Sequence, residues 1–285
     1  MEPYILGIDI GTGSTKGVAV GLNGKVLASS QHRYPIMQPQ PGYNEQDPNL
    51  IWKAFVSCVQ DVVKELKDAP QALSFSSAMH SLILVDEGGK ALNNMITWAD
   101  TRSEKIAQHL RDSDEGEAIY RQTGTPIHPM SPLCKLIWLK DNEHELFEKA
   151  AKFISIKEYI WYKLFNKFQV DYSIASATGL FDIIKLQWSA EACGLAGVNT
   201  GKLSEPVNTN YVQKELLPQM ATLLGIPSTT PFVIGASDGC CANLGSHVMD
   251  NGTAALTIGT SGAVRITTSQ PVYDYQAMHF NYLLN

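Results

Sequence analysis

Runs of alternating and helically spaced apolar residues divide the chain into an ordered series of elements. Residues 4–10 (YILGIDI) are apolar and β-rich, which predicts a strand. A glycine-rich turn leads into a second strand over 15–20, and Asn23-Gly24 is a hairpin signal before a third over 25–30. A loop rich in proline and glutamine follows over 34–43. Asp47-Pro48 then reads as a helix N-cap with proline at the first helical position. Trp52, Phe55, Val59, Val62 and Leu66 recur at spacings of three and four, so this helix should bury one face.

Farther along, the pattern predicts strands over 72–78 and 81–85, separated by Met79-His80, and a short strand over 95–98. Helices are expected over 101–111, 131–150 and 157–165, and a strand over 179–184. A short buried strand at 231–235 runs into a helix at 240–248, and strand, turn and strand follow from 253 to 267. Mixed elements behind a leading meander predict an α/β fold rather than a strict alternation of strand and helix. The triplet Ile10-Gly11-Thr12 returns as Ile258-Gly259-Thr260, each time after a β-rich segment and before small residues and another strand. That echo suggests two domains built on one core.

Composition narrows the function. The 285 residues are 44% hydrophobic and 18% charged, as in ordinary globular proteins, and a net charge of -6 gives no electrostatic reason to bind nucleic acid or an anionic membrane. No apolar run reaches the length of a membrane span, and the N-terminus lacks the pattern of a signal peptide. The five cysteines are odd in number and form no Cys-x-x-Cys pair, which suits reduced thiols and a cytoplasmic location. A small-molecule partner is expected, with neither nucleic acid nor membrane, and a homodimer stays open.

Candidate chemistry lies in the turns. In residues 9–16, small and hydroxyl side chains would let backbone N–H groups and Thr12, Ser14 and Thr15 point at an anion, with Lys16 adding charge and Asp9 holding Mg²⁺ through water. An ordinary tight turn explains the same residues. The spacing is not that of a Walker A loop, and the turn feeds a strand. The turn at Gly259-Thr260 has the same character. Asp238 sits where a strand becomes a helix, placed to take a proton from a substrate hydroxyl, or simply to cap the helix. Met79, His80, Trp98, Asp100 and Arg102 have the composition of a polyol site, although His80 could be a satisfied structural histidine and Asp100 a cap for a helix starting at Thr101. The rigid segment holding His128 could join that pocket or merely connect elements.

Taken together, residues 7–16 (GIDIGTGSTK), 78–81 (AMHS), 96–103 (ITWADTRS), 123–131 (TGTPIHPMS), 154–159 (ISIKEY), 233–239 (VIGASDG) and 258–265 (IGTSGAVR) resemble the FGGY family of carbohydrate kinases, nearly end to end and in family order. Within the family the likeness is to members that act on gluconate. The resemblance implies ribonuclease-H-like domains, as in actin, hexokinase and heat-shock ATPases, with the site in the cleft between two of them. It implies ATP and Mg²⁺ as cofactors and transfer to a terminal hydroxyl of a sugar or sugar acid. Xylulose or another polyol is the alternative substrate, and a non-catalytic sugar-binding module the rival of another class. Asp238 matches the family's base, Asp9 its metal-associated carboxylate, Gly11, Thr12, Gly13, Ser14, Thr15 and Lys16 the first phosphate hairpin, and Gly259 and Thr260 the second. Met79 and His80 match the sugar-contacting pair, with Trp98, Asp100 and Arg102 adjoining. For a substrate carboxylate, Arg102, His128 and Lys157 are the candidates. Family members are larger than this chain, so residues 1–247 are expected to form the sugar-binding domain and 248–285 only the start of a nucleotide-binding domain. Such a piece is not expected to phosphorylate anything alone.

Overall fold

In the computed structural model, residues 2–250, 252–258 and 262–284 are described. The first strand, Tyr4–Ile10, buries Tyr4, Leu6, Ile8 and Ile10, while Ile5, Gly7 and Asp9 face the other way. The period of two thereby makes one side of the sheet a core and leaves Asp9 on the more open side. Six strands form the sheet: 212–213, 232–233, 72–77, 4–10, 14–21 and 26–33, in that spatial order. Strands 4–10, 14–21 and 26–33 are an antiparallel meander, and 72–77 and 232–233 extend it in parallel. Helix Pro48–Leu66 begins as the sequence predicts, with Asp47 accepting from the Asn49 N–H at 2.8 Å. It buries Phe55, Val59 and Val62 completely, while Trp52 and Leu66 pack partly buried against the same core. Phe75 joins this helix to helix Ile156–Phe165, with ring centroids 5.6 Å from Phe55 and 5.9 Å from Trp161. Truncating such a central ring would cost about 3–5 kcal/mol.

A second core gathers Leu82, Ile96, Leu110, Leu136, Phe153 and Leu203. Here the structure departs from the periodic reading. The helix expected over 131–150 is two, Pro132–Asn142 and His144–Lys149, joined through Glu143. The helix expected from Thr101 starts at Glu104, with Ser103 at the cap position, so Asp100 is free for other partners. Helices Asp114–Thr123, Ala190–Ala196 and Pro218–Leu224 are additions to the sequence reading, the last two only 7 residues long. The C-terminal strands, Ala254–Ile258 and Gly262–Ile266, pair only with each other among the described residues. Like strands 4–10 and 14–21 they are antiparallel, and Gly259 and Thr260, expected in the turn between them, lie outside the described residues. From there the tail returns to the first lobe, where the Asn281 N–H donates to Gly124 O at 2.9 Å and the Leu283 N–H to Ser176 Oγ at 3.0 Å. Among the described residues, no helix is long and apolar enough to cross a membrane.

Candidate active site

Three parallel strands, 4–10, 72–77 and 232–233, end at the same edge of the sheet, where α/β folds gather ligands. Asp9 lies one residue from the end of the first, and the Ser76 hydroxyl on the neighbouring strand donates to its Oδ1 at 2.9 Å. Beyond the third strand the chain turns at Gly235, with φ of 71°. A Cβ there would stand 2.5 Å from Phe75 O, so both the conformation and the space demand glycine. Ser237, fully buried, caps the helix Asp238–Gly245 by accepting from the Cys240 N–H at 3.3 Å. The capping duty thus falls to Ser237, and Asp238 presents its carboxylate at the first helical position. Desolvation is the main reason the Asp238 carboxyl is pushed up from its ordinary range. The Gly239 N–H, at 2.7 Å, pulls it down, the charge of Asp9 pushes it further up, and Arg265 opposes that. Burial and a neighbouring carboxylate make Asp238 a better proton acceptor than a solvated aspartate.

The turn after Ile10 is held from behind. The Tyr34 hydroxyl donates to Gly11 O at 2.6 Å, and Gln46 Nε2 donates to Thr12 O at 2.7 Å. With those carbonyls fixed, the N–H groups of Thr12 and Gly13 donate to no protein acceptor among the described residues. A Cβ on Gly13 would meet nothing within 4 Å, which leaves open space in front of the turn. Lys16 is exposed and directly cross-strand from Asp9, on the same face of the sheet. Thr15 is different. Strand alternation buries it fully against the Tyr34 hydroxyl, 3.4 Å away, so its side chain belongs to the core and not to an anion. The Ser14 hydroxyl accepts from Gln31 Nε2 at 2.9 Å.

Segment 96–103 reaches this turn through Trp98, whose Nε1 donates to Thr12 Oγ1 at 2.9 Å while the ring stays 40% exposed. Met79 comes within van der Waals reach of the Asp238 helix, since a Cβ on Gly239 would stand 3.3 Å from Met79 Cε. His80 occupies the left-handed region at φ 63° and is buried. Its Nδ1 donates to Ala177 O at 2.7 Å, which leaves Nε2 to accept from the Tyr282 hydroxyl at 3.2 Å. Burial lowers its pKa to about 3, so the ring is neutral. Both ring nitrogens are therefore engaged by protein.

Of the three carboxylate candidates, two are committed elsewhere. Arg102, its side chain 3% exposed, donates through Nη2 to Glu45 and Asp100 at 2.5 and 2.8 Å and stacks 3.8 Å above the Tyr43 ring. Asp100 also accepts from the Asn44 N–H at 2.7 Å, so it clamps the segment instead of capping a helix. Lys157 is buried against Asp171, 2.7 Å away. His128 is half-buried, its Nδ1 accepts from the Met130 N–H at 3.2 Å, and desolvation keeps its pKa below the ordinary value. Its Nε2–H is left without a protein partner among the described residues.

Two residues outside the sequence-based candidates stand beside the site. Arg265 lies close to Asp238, its Nε 3.1 Å from where a Cβ on Gly239 would sit. Lys135, fully buried, donates from Nζ to His80 O at 2.6 Å and Thr97 O at 2.8 Å, joining segments 78–81 and 96–103. The lysine was hidden in an apolar helix, where its long stem passes as amphipathic filler.

A family model described as the N-terminal domain of the FGGY family of carbohydrate kinases matches residues 4–245. Gluconokinase from Bacillus subtilis is 44% identical over the whole chain, and xylulose kinase from the same organism is 30% identical over 97% of it. The chain spans only 56% of the length of either relative. A crystal structure of gluconate kinase from Lactobacillus acidophilus superposes with a TM-score of 0.97 at 37% identity, over 100% of this chain and 58% of that one. A ligand-bound xylulose kinase structure from the same organism gives 0.96 at 37% identity, over 99% and 58%. The six-stranded mixed sheet is accordingly the ribonuclease-H-like half of a two-domain plan, and the chain belongs to the FGGY family of carbohydrate kinases.

Proposed function

We propose that the protein containing this chain transfers the γ-phosphoryl group of ATP to a terminal hydroxyl of a sugar acid, gluconate. The observation that carries the reading is that Asp9, near the end of strand 4–10, and Asp238, after strand 232–233, come from either side of strand 72–77, with the charge of Asp9 acting on Asp238 and the open Gly11–Gly13 turn beside them. Asp238 would accept the proton of the attacking hydroxyl, and its raised pKa suits that task. Free N–H groups in the turn, with Lys16 nearby, would hold phosphate oxygens. Gly259 and Thr260, outside the described residues, are assigned to the second phosphate segment.

The residues present fit Mg²⁺. Asp9 offers a hard oxygen donor, and this ion keeps several waters while taking one or two carboxylates and substrate phosphates. No group of three ligating side chains exists among the described residues, as such a water-rich site allows. When bound, the ion would neutralise charge on the transferring phosphate. Residues 1–247 are assigned as the sugar-binding domain and 248–285 as the opening of the nucleotide-binding domain. A cytoplasmic location agrees with five free cysteines.

Gluconate is preferred because the gluconokinase relative is 44% identical against 30% for the xylulose kinase. Xylulose is the second reading, since the two Lactobacillus structures are equally similar at 37%. A substrate panel on the intact protein decides: gluconate should turn over and xylulose should not. Asp238→Ala should lower kcat at least about 1,000-fold while gluconate still binds. Turnover of xylulose alone would overturn the substrate, and unchanged turnover by Asp238→Ala would overturn the base.

A further inference from the structure

Lys157 and Asp171 form a buried ion pair, with side chains 2% and 0% exposed and Nζ 2.7 Å from Oδ2. The chemistry of phosphoryl transfer gives neither of them a task. Their position suggests one. Lys157 Nζ also donates to Ala236 O at 3.1 Å. The other carboxylate oxygen of Asp171 accepts from the Ser173 hydroxyl and from the Ser173 and Ile174 N–H groups. Ser173 Oγ in turn accepts from the Ser237 N–H at 2.7 Å. The ring closes on a single peptide unit, the one between Ala236 and Ser237. Its C=O is gripped by the cation and its N–H, through Ser173, by the anion. The next residue is Asp238.

A buried ion pair is a poor device for stability, because desolvating both charges costs about what their attraction returns, and apolar pairs of similar volume often serve as well. It is a good device for orientation. A peptide held at both of its polar ends cannot rotate about its neighbouring bonds, and Asp238 inherits that rigidity. Glycine at 235 makes the grip useful, since the chain enters the turn through a residue with wide backbone freedom. Ser77, fully buried and bridged in parallel to Ser237, closes the turn on its other side.

We propose that Lys157 and Asp171 are positioning residues, which aim Asp238 by clamping the Ala236-Ser237 peptide. This rests on the reading of Asp238 as the base. It also moves Lys157 from the substrate carboxylate to the back of the catalytic turn.

The test uses the intact protein with Lys157→Met and Asp171→Leu combined, so that neither charge is left unpaired. Kinetics with gluconate should show kcat reduced about 100-fold with KM within about threefold, since a misplacement on the order of 1 Å costs that much. Thermal stability should be retained, and amide hydrogen exchange over residues 236–239 should be faster than in the parent. A folded double variant with parental kcat and parental exchange would overturn the proposal. Should the double variant not fold, Ser173→Ala cuts the N–H side of the grip alone. It should lower kcat about tenfold and speed exchange at Ser237, and parental values for both would again overturn the clamp. Asp238→Ala is assayed alongside. If it turns over normally, the assignment of the base has failed, and the exchange measurement still decides whether Lys157 and Asp171 hold the turn.

Discussion

The indole Nε1 of Trp98 donates to the Thr12 hydroxyl at 2.9 Å across 86 residues of sequence. One hydrogen bond thereby ties the segment proposed to meet the sugar to the turn proposed to meet the phosphates. Trp98→Phe keeps a flat ring and removes the bond. We expect kcat/KM to fall about fivefold for ATP and for gluconate alike, because a lost neutral hydrogen bond is worth about 1 kcal/mol. A change confined to the gluconate KM would show that the indole serves only as a sugar platform.

Asp238 must be ionised to accept a proton, and its pKa is raised chiefly by desolvation. Activity should therefore fall as the pH drops through that raised value, at a higher pH than a solvated aspartate would give. Arg265 works against the shift, so Arg265→Gln should move the acid limb of the kcat profile to still higher pH. An acid limb unmoved, or moved toward lower pH, would show that Arg265 does not act on Asp238.

His128 is the carboxylate candidate with an unengaged donor, and the ring is neutral near pH 7 because burial lowers its pKa. His128→Ala should raise the gluconate KM about tenfold to 100-fold and leave the ATP KM unchanged, as removal of one neutral donor to a charged acceptor predicts. Isothermal titration of gluconate into wild type and variant gives an independent reading. Equal affinities would remove His128 from the site.

Gly235 precedes Asp238 in the turn after strand 232–233 at φ 71°, with Phe75 O and Ser74 Oγ at 2.5 and 2.9 Å from any added Cβ. Gly235→Ala should cost roughly 2–4 kcal/mol of stability from the disfavoured conformation and the clash. Denaturant unfolding at constant slope measures it, and an unshifted midpoint would contradict the crowding described.

Much of this protein was legible without coordinates. The period-two strand 4–10, the cap at Asp47-Pro48 and the 3–4 spacing from Trp52 to Leu66 are local properties, and local sterics and burial enforce them wherever the chain goes. The motifs around Asp9, Trp98 and Asp238 were found in the same way, since each lies at or just beyond a strand that the pattern located. Thr15 could have been excluded on that basis, because its odd offset from Asp9's register partner Lys16 puts it on the core face. What no local pattern contains is which charge meets which. Asp171 lies 14 residues from Lys157, Glu45 57 residues from Arg102, and Tyr282 202 residues from His80, and only chain packing brings each pair together. Sequence alone determined most strands of the central sheet and the residue types proposed for phosphoryl transfer. Tertiary structure decided which of those side chains are free to act, because a buried charge or ring nitrogen must find a partner, and that partner is chosen by proximity in space.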